Sequence, residues 1–168
     1  MIKISLFDRK TNKRIVARIS EASLADLPLK KDRWQFNWRQ LFGEAGSKTC
    51  VLKTSETKHN PEGIISLKIE NGMLIMNHLE IAPRNVGSKN KQFDSVAGCL
   101  IAFACRESFK IKGIYKGYLA FVSKTSLIEW YKNKYGAEQI AGQRMIINPM
   151  AGEKLINKYL KSANYEEN

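Results

Sequence analysis

The run Gln92-Phe93-Asp94-Ser95-Val96-Ala97-Gly98 constrains this chain more than any other feature. It opens directly into the apolar stretch Cys99-Leu100-Ile101-Ala102-Phe103-Ala104 and follows a strand-like segment over 73–81. A strand, a loop of small residues and a helix start together present backbone N–H groups that have no intrahelical partner. The helix dipole adds partial positive charge at the same point, so the combination suits a phosphate. Alone, the pattern is a weak signal; the residues around it give it meaning.

Upstream, residues 2–8 and 14–19 alternate as two strands around the polar turn 9–13, and residues 20–28 read as loop. Trp34, Phe36, Trp38, Leu41 and Phe42 predict a helix or helical turns over 31–43. Cys50-Val51-Leu52 is a short strand ended by the polar residues 53–60. After the turn Pro61-Glu62-Gly63, residues 64–69 alternate as a strand, and Asn71-Gly72 is a strong hairpin signal leading into 73–81. A helix is predicted over 95–109, closed by Lys110, Lys112 and Gly113. Residues 115–122 are β-rich, and Ser123-Lys124-Thr125-Ser126 can cap a helix built on Leu127, Ile128, Tyr131 and Tyr135 that stops at Gly136. Residues 139–147 read as a last strand, and Asn148-Pro149 starts a closing helix to Lys161 packed by Leu155, Ile156, Tyr159 and Leu160. Residues 162–168 are expected to fray. The pattern fits one α+β domain over 1–168 with a mixed sheet.

Composition narrows the setting. No apolar run approaches the roughly 20 residues that cross a bilayer, and the alternating start Met-Ile-Lys-Ile-Ser-Leu-Phe-Asp does not read as a signal peptide. The three cysteines, Cys50, Cys99 and Cys105, form no even framework, and no CxxC or His/Cys cluster suggests a metal site. A reduced, cytoplasmic protein is the expectation. The net charge of +12 favours polyanions, phosphorylated cofactors among them, although charge also serves solubility. Its most pointed concentration, Arg84, Lys89 and Lys91, lies just before the phosphate-type loop.

From Glu62 onward the order of elements resembles the Gcn5-related N-acetyltransferase (GNAT) superfamily. Gln92-Phe93-Asp94-Ser95-Val96-Ala97 is similar to that family's Gln/Arg-x-x-Gly-x-Gly/Ala loop, with Ser95 at the first glycine. Ile128-Glu129-Trp130-Tyr131-Lys132-Asn133-Lys134-Tyr135-Gly136-Ala137 resembles its later helix with a tyrosine and a closing glycine, Ala137 replacing the usual aromatic. Two further departures are the long connection 83–92, carrying Arg84, Asn85, Lys89 and Lys91, and Lys124 where the family often has asparagine. The resemblance implies an acyl-CoA N-acyltransferase fold, a mostly antiparallel sheet flanked by helices. It divides the chain into an acceptor-side part over 1–60, a coenzyme-A-binding core over 61–161 and the tail. It also implies acetyl transfer from acetyl-CoA to an amine, with no metal and no membrane partner.

Such chemistry needs a base for the amine, donors for a tetrahedral oxyanion and a proton for the leaving thiolate. Glu80 is the expected base, sharing a strand face with His78, a second candidate; a structural carboxylate is an equally good reading of Glu80. Backbone groups around Leu79 and Ile81 are expected to meet the oxyanion and the pantetheine arm. The resemblance assigns the thiolate's proton to Tyr131, whose spacing from Leu127 and Tyr135 by itself favours packing. Amides of Gln92, Phe93, Asp94, Ser95, Val96, Ala97 and Gly98 are expected to cradle the pyrophosphate, with Ser95 also capping the helix. Cys99 and Cys105 read as small buried hydrophobes.

A nucleic-acid-binding module, degenerate in catalysis, is the competing class. Trp34, Phe36 and Trp38 interleave with Lys30, Lys31, Arg33 and Arg39 as a stacking surface does, but a helix that buries its aromatics and solvates its charges is the favoured reading of this cluster. An acetyltransferase toxin acting on RNA or charged tRNA would join the two. If the basic surface lines the acceptor cleft, the acceptor should be acidic overall.

Overall fold

Period-two alternation accounts for most of the molecule, whose computed structural model describes residues 1–55, 60–87 and 89–161. Strands β1 (Ile2–Asp8), β2 (Lys13–Glu21), β3 (Ser47–Thr54), β4 (Gly63–Glu70) and β5 (Met73–Ile81) pair in order, each antiparallel to the next. Strand β6 (Leu119–Val122) joins β5 in parallel. Strands β7 (Glu138–Ala141) and β8 (Arg144–Ile147) complete one eight-stranded sheet in the order 1-2-3-4-5-6-8-7. The β4–β5 turn is tight, with Asn71 and Gly72 both left-handed at φ 50° and 78°.

One face of the sheet carries the main core. Ile4, Leu6, Ala17, Ile19, Cys50, Leu52, Ile65 and Leu67 pack there beneath helices α2 (Val96–Ser108) and α4 (Pro149–Tyr159). Two glycines set how closely these helices lie. A Cβ on Gly63 would stand 2.7 Å from Leu100 Cδ1 and 2.8 Å from Val96 Cγ1, so its absence lets the start of α2 rest on β4. A Cβ on Gly98 would stand 2.5 Å from the Tyr159 ring, so α2 and α4 meet there only through a bare Cα. The closing helix starts as expected, with Asn148 Oδ1 accepting from Ala151 N at 2.8 Å.

On the opposite face Val51, Ile64 and Ala82 pack against Ala22, Leu27, Trp34 and Trp38. The segment supplying these residues takes the second of the two forms expected over 31–43, helical turns rather than one helix. It runs through 3-10 turns at Leu24–Asp26 and Lys30–Asp32 into a four-residue helix α1 (Trp38–Leu41). Arg33 breaks any longer helix with φ 72°. Trp34 is 4% exposed and Trp38 fully buried, so the stacking surface weighed from sequence is interior packing.

Other boundaries shift for local reasons. Residues 139–147 form a hairpin through left-handed Gly142 rather than one strand, and the β-rich stretch 115–122 is a strand only at β6. Helix α3 (Ile128–Tyr135) is entered through a 3-10 turn at Thr125–Leu127 without a side-chain cap; the Ser123 hydroxyl donates to the Lys124 carbonyl at 2.8 Å. The polar run after β3 lies outside the described residues over 56–59, as does the tail 162–168. No helix among the described residues is long and apolar enough to cross a membrane.

Candidate active site

Strands β5 and β6 pair only through Leu74–Leu119 and Ile75–Ala120, and beyond that point they diverge. A cleft of about 340 Å³ opens between them, lined by Met76 to Ile81 on one side and by Phe121, Val122, Ser123, Lys124 and Tyr131 on the other. A bulge in β5 shapes its wall. Leu67 pairs with Met76 and Ser66 with His78, leaving Asn77 as the extra residue. The bulge resets side-chain parity, so that Leu74, Met76, Leu79 and Ile81 all pack toward the main core while His78 and Glu80 take the other face.

The antiparallel ladder also fixes the peptide groups. Ala82 N donates to Glu62 O at 2.9 Å, so alternate residues Glu80 and His78 turn their peptide groups to β4. Leu79 and Ile81 turn theirs to the side vacated by β6. Both residues line the cleft.

A second cavity continues from Ile81 to the start of α2, where Phe93, Ser95, Val96, Ala97 and Gly98 line it with Lys91 and Lys134. The amides expected to face a phosphate from Gln92 onward divide into two groups. Gln92 N donates to Arg84 O at 3.0 Å, Phe93 N to Asn85 Oδ1 at 3.0 Å and Asp94 N to Phe7 O at 3.1 Å, so these three are committed to holding the loop. The first in-helix bond is Cys99 N to Ser95 O at 2.9 Å, so the amides of Ser95, Val96, Ala97 and Gly98 have no partner among the described residues. Ser95 adopts a left-handed conformation, φ 67° and ψ 19°, that glycine suits better, and its side chain makes no capping bond. The expected cap fails because that backbone geometry replaces the extended one a capping serine uses.

Sequence patterns did not reveal what steadies this loop. Arg9 N donates to Gln92 O at 2.8 Å, and with the Asp94–Phe7 bond and an Asp8–Phe93 bridge the loop is sewn to the end of β1. Behind it, the Arg84 guanidinium grips the fully buried Glu62 carboxylate, with Nε–Oε distances of 2.7 and 3.1 Å. Arg84 is therefore a structural cation, apart from the basic group it was read with. Lys91 pairs with Asp94 at 3.2 Å beside the loop's cavity.

Tyr131 packs its ring against Phe121 at 4.8 Å and Trp130 at 4.9 Å, and its hydroxyl has no partner among the described residues. Burial raises its pKa, so the phenol holds its proton at neutral pH. Across the cleft, Glu80 Oε2 accepts from Gln35 N at 2.6 Å, while Oε1 accepts from Phe36 N at 3.1 Å and Trp38 Nε1 at 2.9 Å. It is bonded to N–H groups of the N-terminal segment rather than to a neighbouring cation. His78 stands edge-on to Phe36 at 5.0 Å with its Nδ1 buried and unpartnered. The three cysteines are buried, and burial pushes Cys99 and Cys105 up to about 12 and Cys50 to about 11. No cluster of His, Cys, Asp or Glu suited to a metal occurs among the described residues.

A central parallel pair that splays beside an unpaired helix start, within a mostly antiparallel sheet, is the GNAT acyltransferase fold. The particular likenesses are to solved structures. The chain matches the KacTA–DNA complex at 14% identity over 84% of this chain and 99% of that one, with a TM-score of 0.61. It matches AtaTR bound with AcCoA at 14% identity, 83% and 98% coverage and a TM-score of 0.60. A spermidine N-acetyltransferase SpeG chimera from Vibrio cholerae and hSSAT matches at 17% identity, 84% and 98% coverage and a TM-score of 0.51. No protein-family model and no curated protein matches the sequence.

Proposed function

We propose that this protein is an acetyl-CoA-dependent N-acetyltransferase. One observation carries the reading: the diverging β5–β6 gap adjoins, at Ile81, the cavity at the start of α2, where four amides have no partner among the described residues. Acetyl-CoA fits that path. Ser95 to Gly98 would hold the pyrophosphate with backbone N–H groups, with Lys91 and Lys134 nearby, and the peptide groups of Leu79 and Ile81 would meet the pantetheine arm and the oxyanion. The coenzyme supplies a thioester carbonyl open to attack by an amine. A fold neighbour solved with AcCoA supports the assignment.

The side chains divide the remaining work. Tyr131 donates its retained phenolic proton to the sulfur as the thiolate leaves. Glu80 acts as a positioning residue, holding Gln35 and Phe36 against the acceptor end through its three bonds. His78, which lines the same cleft without a hydrogen-bond partner among the described residues, accepts the amine's proton directly or through water. Lys124 is the charged group in this cleft other than Glu80, and it has no ion-pair partner among the described residues. Lys124 at this end of the cleft disfavours an acceptor that carries further positive charge.

Titration calorimetry with acetyl-CoA and coenzyme A tests the assignment. Both should bind, and Ala97→Glu, which puts a carboxylate among the unpaired amides, should abolish binding while leaving the unfolding temperature near its original value. Tyr131→Phe should bind acetyl-CoA normally and release thiol more slowly to a working acceptor. Absence of binding by the parent protein would remove the assignment, and a preferred polyamine acceptor would refute the account of Lys124.

A further inference from the structure

Helices α3 and α4 enclose a further cavity of about 370 Å³ that the proposed acyl transfer does not use. Lys134, Lys154 and Lys158 line it together with Tyr135, Met150 and Leu155, and among the described residues no carboxylate does. It shares Lys134 and Tyr135 with the cavity at the phosphate loop, so the two adjoin along one side of α3. None of the three ammonium groups has an ion-pair partner among the described residues. Lys134 Nζ instead lies 5.2 Å from the Trp130 ring and 5.7 Å from that of Tyr135, and Lys158 Nζ lies 5.2 Å from Tyr159.

Gathered cations without a counter-charge oppose one another. Burial, and after it the charges of Lys91 and Lys158, hold Lys134 below the usual lysine range, against the opposing pull of Asp94. A bound anion removes that repulsion, and a phosphomonoester does so best because it brings close to two negative charges. Trp130, 40% exposed, also lines the loop's cavity, adding a flat aromatic face beside the cations.

We propose that this lysine-lined cavity is a phosphomonoester site that takes the adenosine 3′-phosphate of coenzyme A, with the adenine stacked on Trp130. The proposal rests on reading the phosphate loop as the pyrophosphate site. Coenzyme A carries a third phosphate on its ribose, one nucleoside away from the pyrophosphate, and the cavity lies next to the loop. The lysines thus distinguish coenzyme A from dephospho-coenzyme A, while the loop amides serve both.

Calorimetry with coenzyme A, dephospho-coenzyme A and adenosine 3′,5′-bisphosphate decides the matter. Coenzyme A should bind about tenfold or more tightly than its dephospho form, as paired charge-assisted contacts to a dianion provide. The double variant Lys154→Gln/Lys158→Gln changes exposed side chains only. It should lose that ratio and keep its dephospho-coenzyme A affinity, whereas Lys30→Gln/Lys31→Gln, of equal charge change, should keep the ratio. Adenosine 3′,5′-bisphosphate should quench Trp130 fluorescence, an effect absent in Trp130→Leu. Equal affinities for the two coenzyme forms, or a ratio unchanged in the Lys154/Lys158 variant, overturn the proposal. If neither coenzyme form binds but the bisphosphate does and the double variant abolishes it, the loop assignment fails while the phosphate site is supported. Binding of none of the three overturns both.

Discussion

Replacing Glu80 by glutamine separates a carboxylate that holds a loop from one that takes a proton. In the native cleft Oε2 receives one N–H, from Gln35, and Oε1 receives two, from Phe36 and the Trp38 indole. Glutamine can keep its oxygen on the doubly bonded side, which leaves its own NH₂ facing the Gln35 amide. One charge-assisted bond is then lost outright and two become neutral. A bond to a charged group contributes about 1.5–3 kcal/mol, and exposure at Gln35 brings the expected total to about 2 kcal/mol. At roughly 2–4 °C per kcal/mol for a domain of this size, the unfolding temperature should fall by about 4–8 °C. Thermal unfolding by circular dichroism measures the shift, and hydrogen exchange should show faster exchange of the Gln35 and Phe36 amides. With a working acceptor, KM should rise more than kcat falls. An unchanged melting temperature and unchanged exchange at those amides, together with a collapse in kcat, would refute the positioning role and restore Glu80 as base.

Three other outcomes test different parts of the structure. Ser95→Gly should raise the melting temperature slightly, because relief of the left-handed backbone, about 1–2 kcal/mol, exceeds glycine's entropic cost of roughly 0.5–1 kcal/mol; Ser95→Ala should give no gain. Gly98→Ala should destabilise by about 1–3 kcal/mol through overpacking against Tyr159, a loss that chemical denaturation can measure and that Tyr159→Leu in the same chain should partly relieve. Burial raises Cys50, Cys99, Cys105, Tyr131 and Tyr135, so the folded state retains protons that the unfolded state releases above about pH 9. Their contribution to stability is full below that pH and is lost as pH rises through the folded values. Lys134 has the opposite sign, but denaturation followed from pH 8 to 11 should show a net decline.

What the sequence made legible was local. The loop at Gln92, the Asn71-Gly72 turn, the alternation of β5 and the Asn148-Pro149 helix start each depend on neighbouring residues, and each is present in the structure. Distant partnerships were not legible. Glu80 meets the amides of Gln35 and Phe36 across more than forty positions, and Gly98 owes its missing side chain to Tyr159 rather than to a ligand. The segment around Trp34, Phe36 and Trp38 was legible as buried aromatics but not in its partners, for a related reason. Its aromatics recur every second residue, and their burial is decided by Val51, Ile64 and Ala82 on the sheet beneath. Ser95 could be seen as a departure from glycine, but its backbone angle, and hence its failure to cap, required the folded chain.

The stitching of the loop to β1 makes the proposed ligand site a joint product of the two ends of the sheet's first half. Residues 7–9 belong to the sheet's edge strand and the turn after it, residues 92–94 to the loop before α2, and backbone hydrogen bonds join the two. The proposed anion-binding surface is therefore sensitive to events at a distant edge of the sheet. Occupancy of the loop should slow amide exchange at Arg9, so the turn that follows an edge strand would report binding. A lesion in β1 that spares every lining residue should loosen the same site.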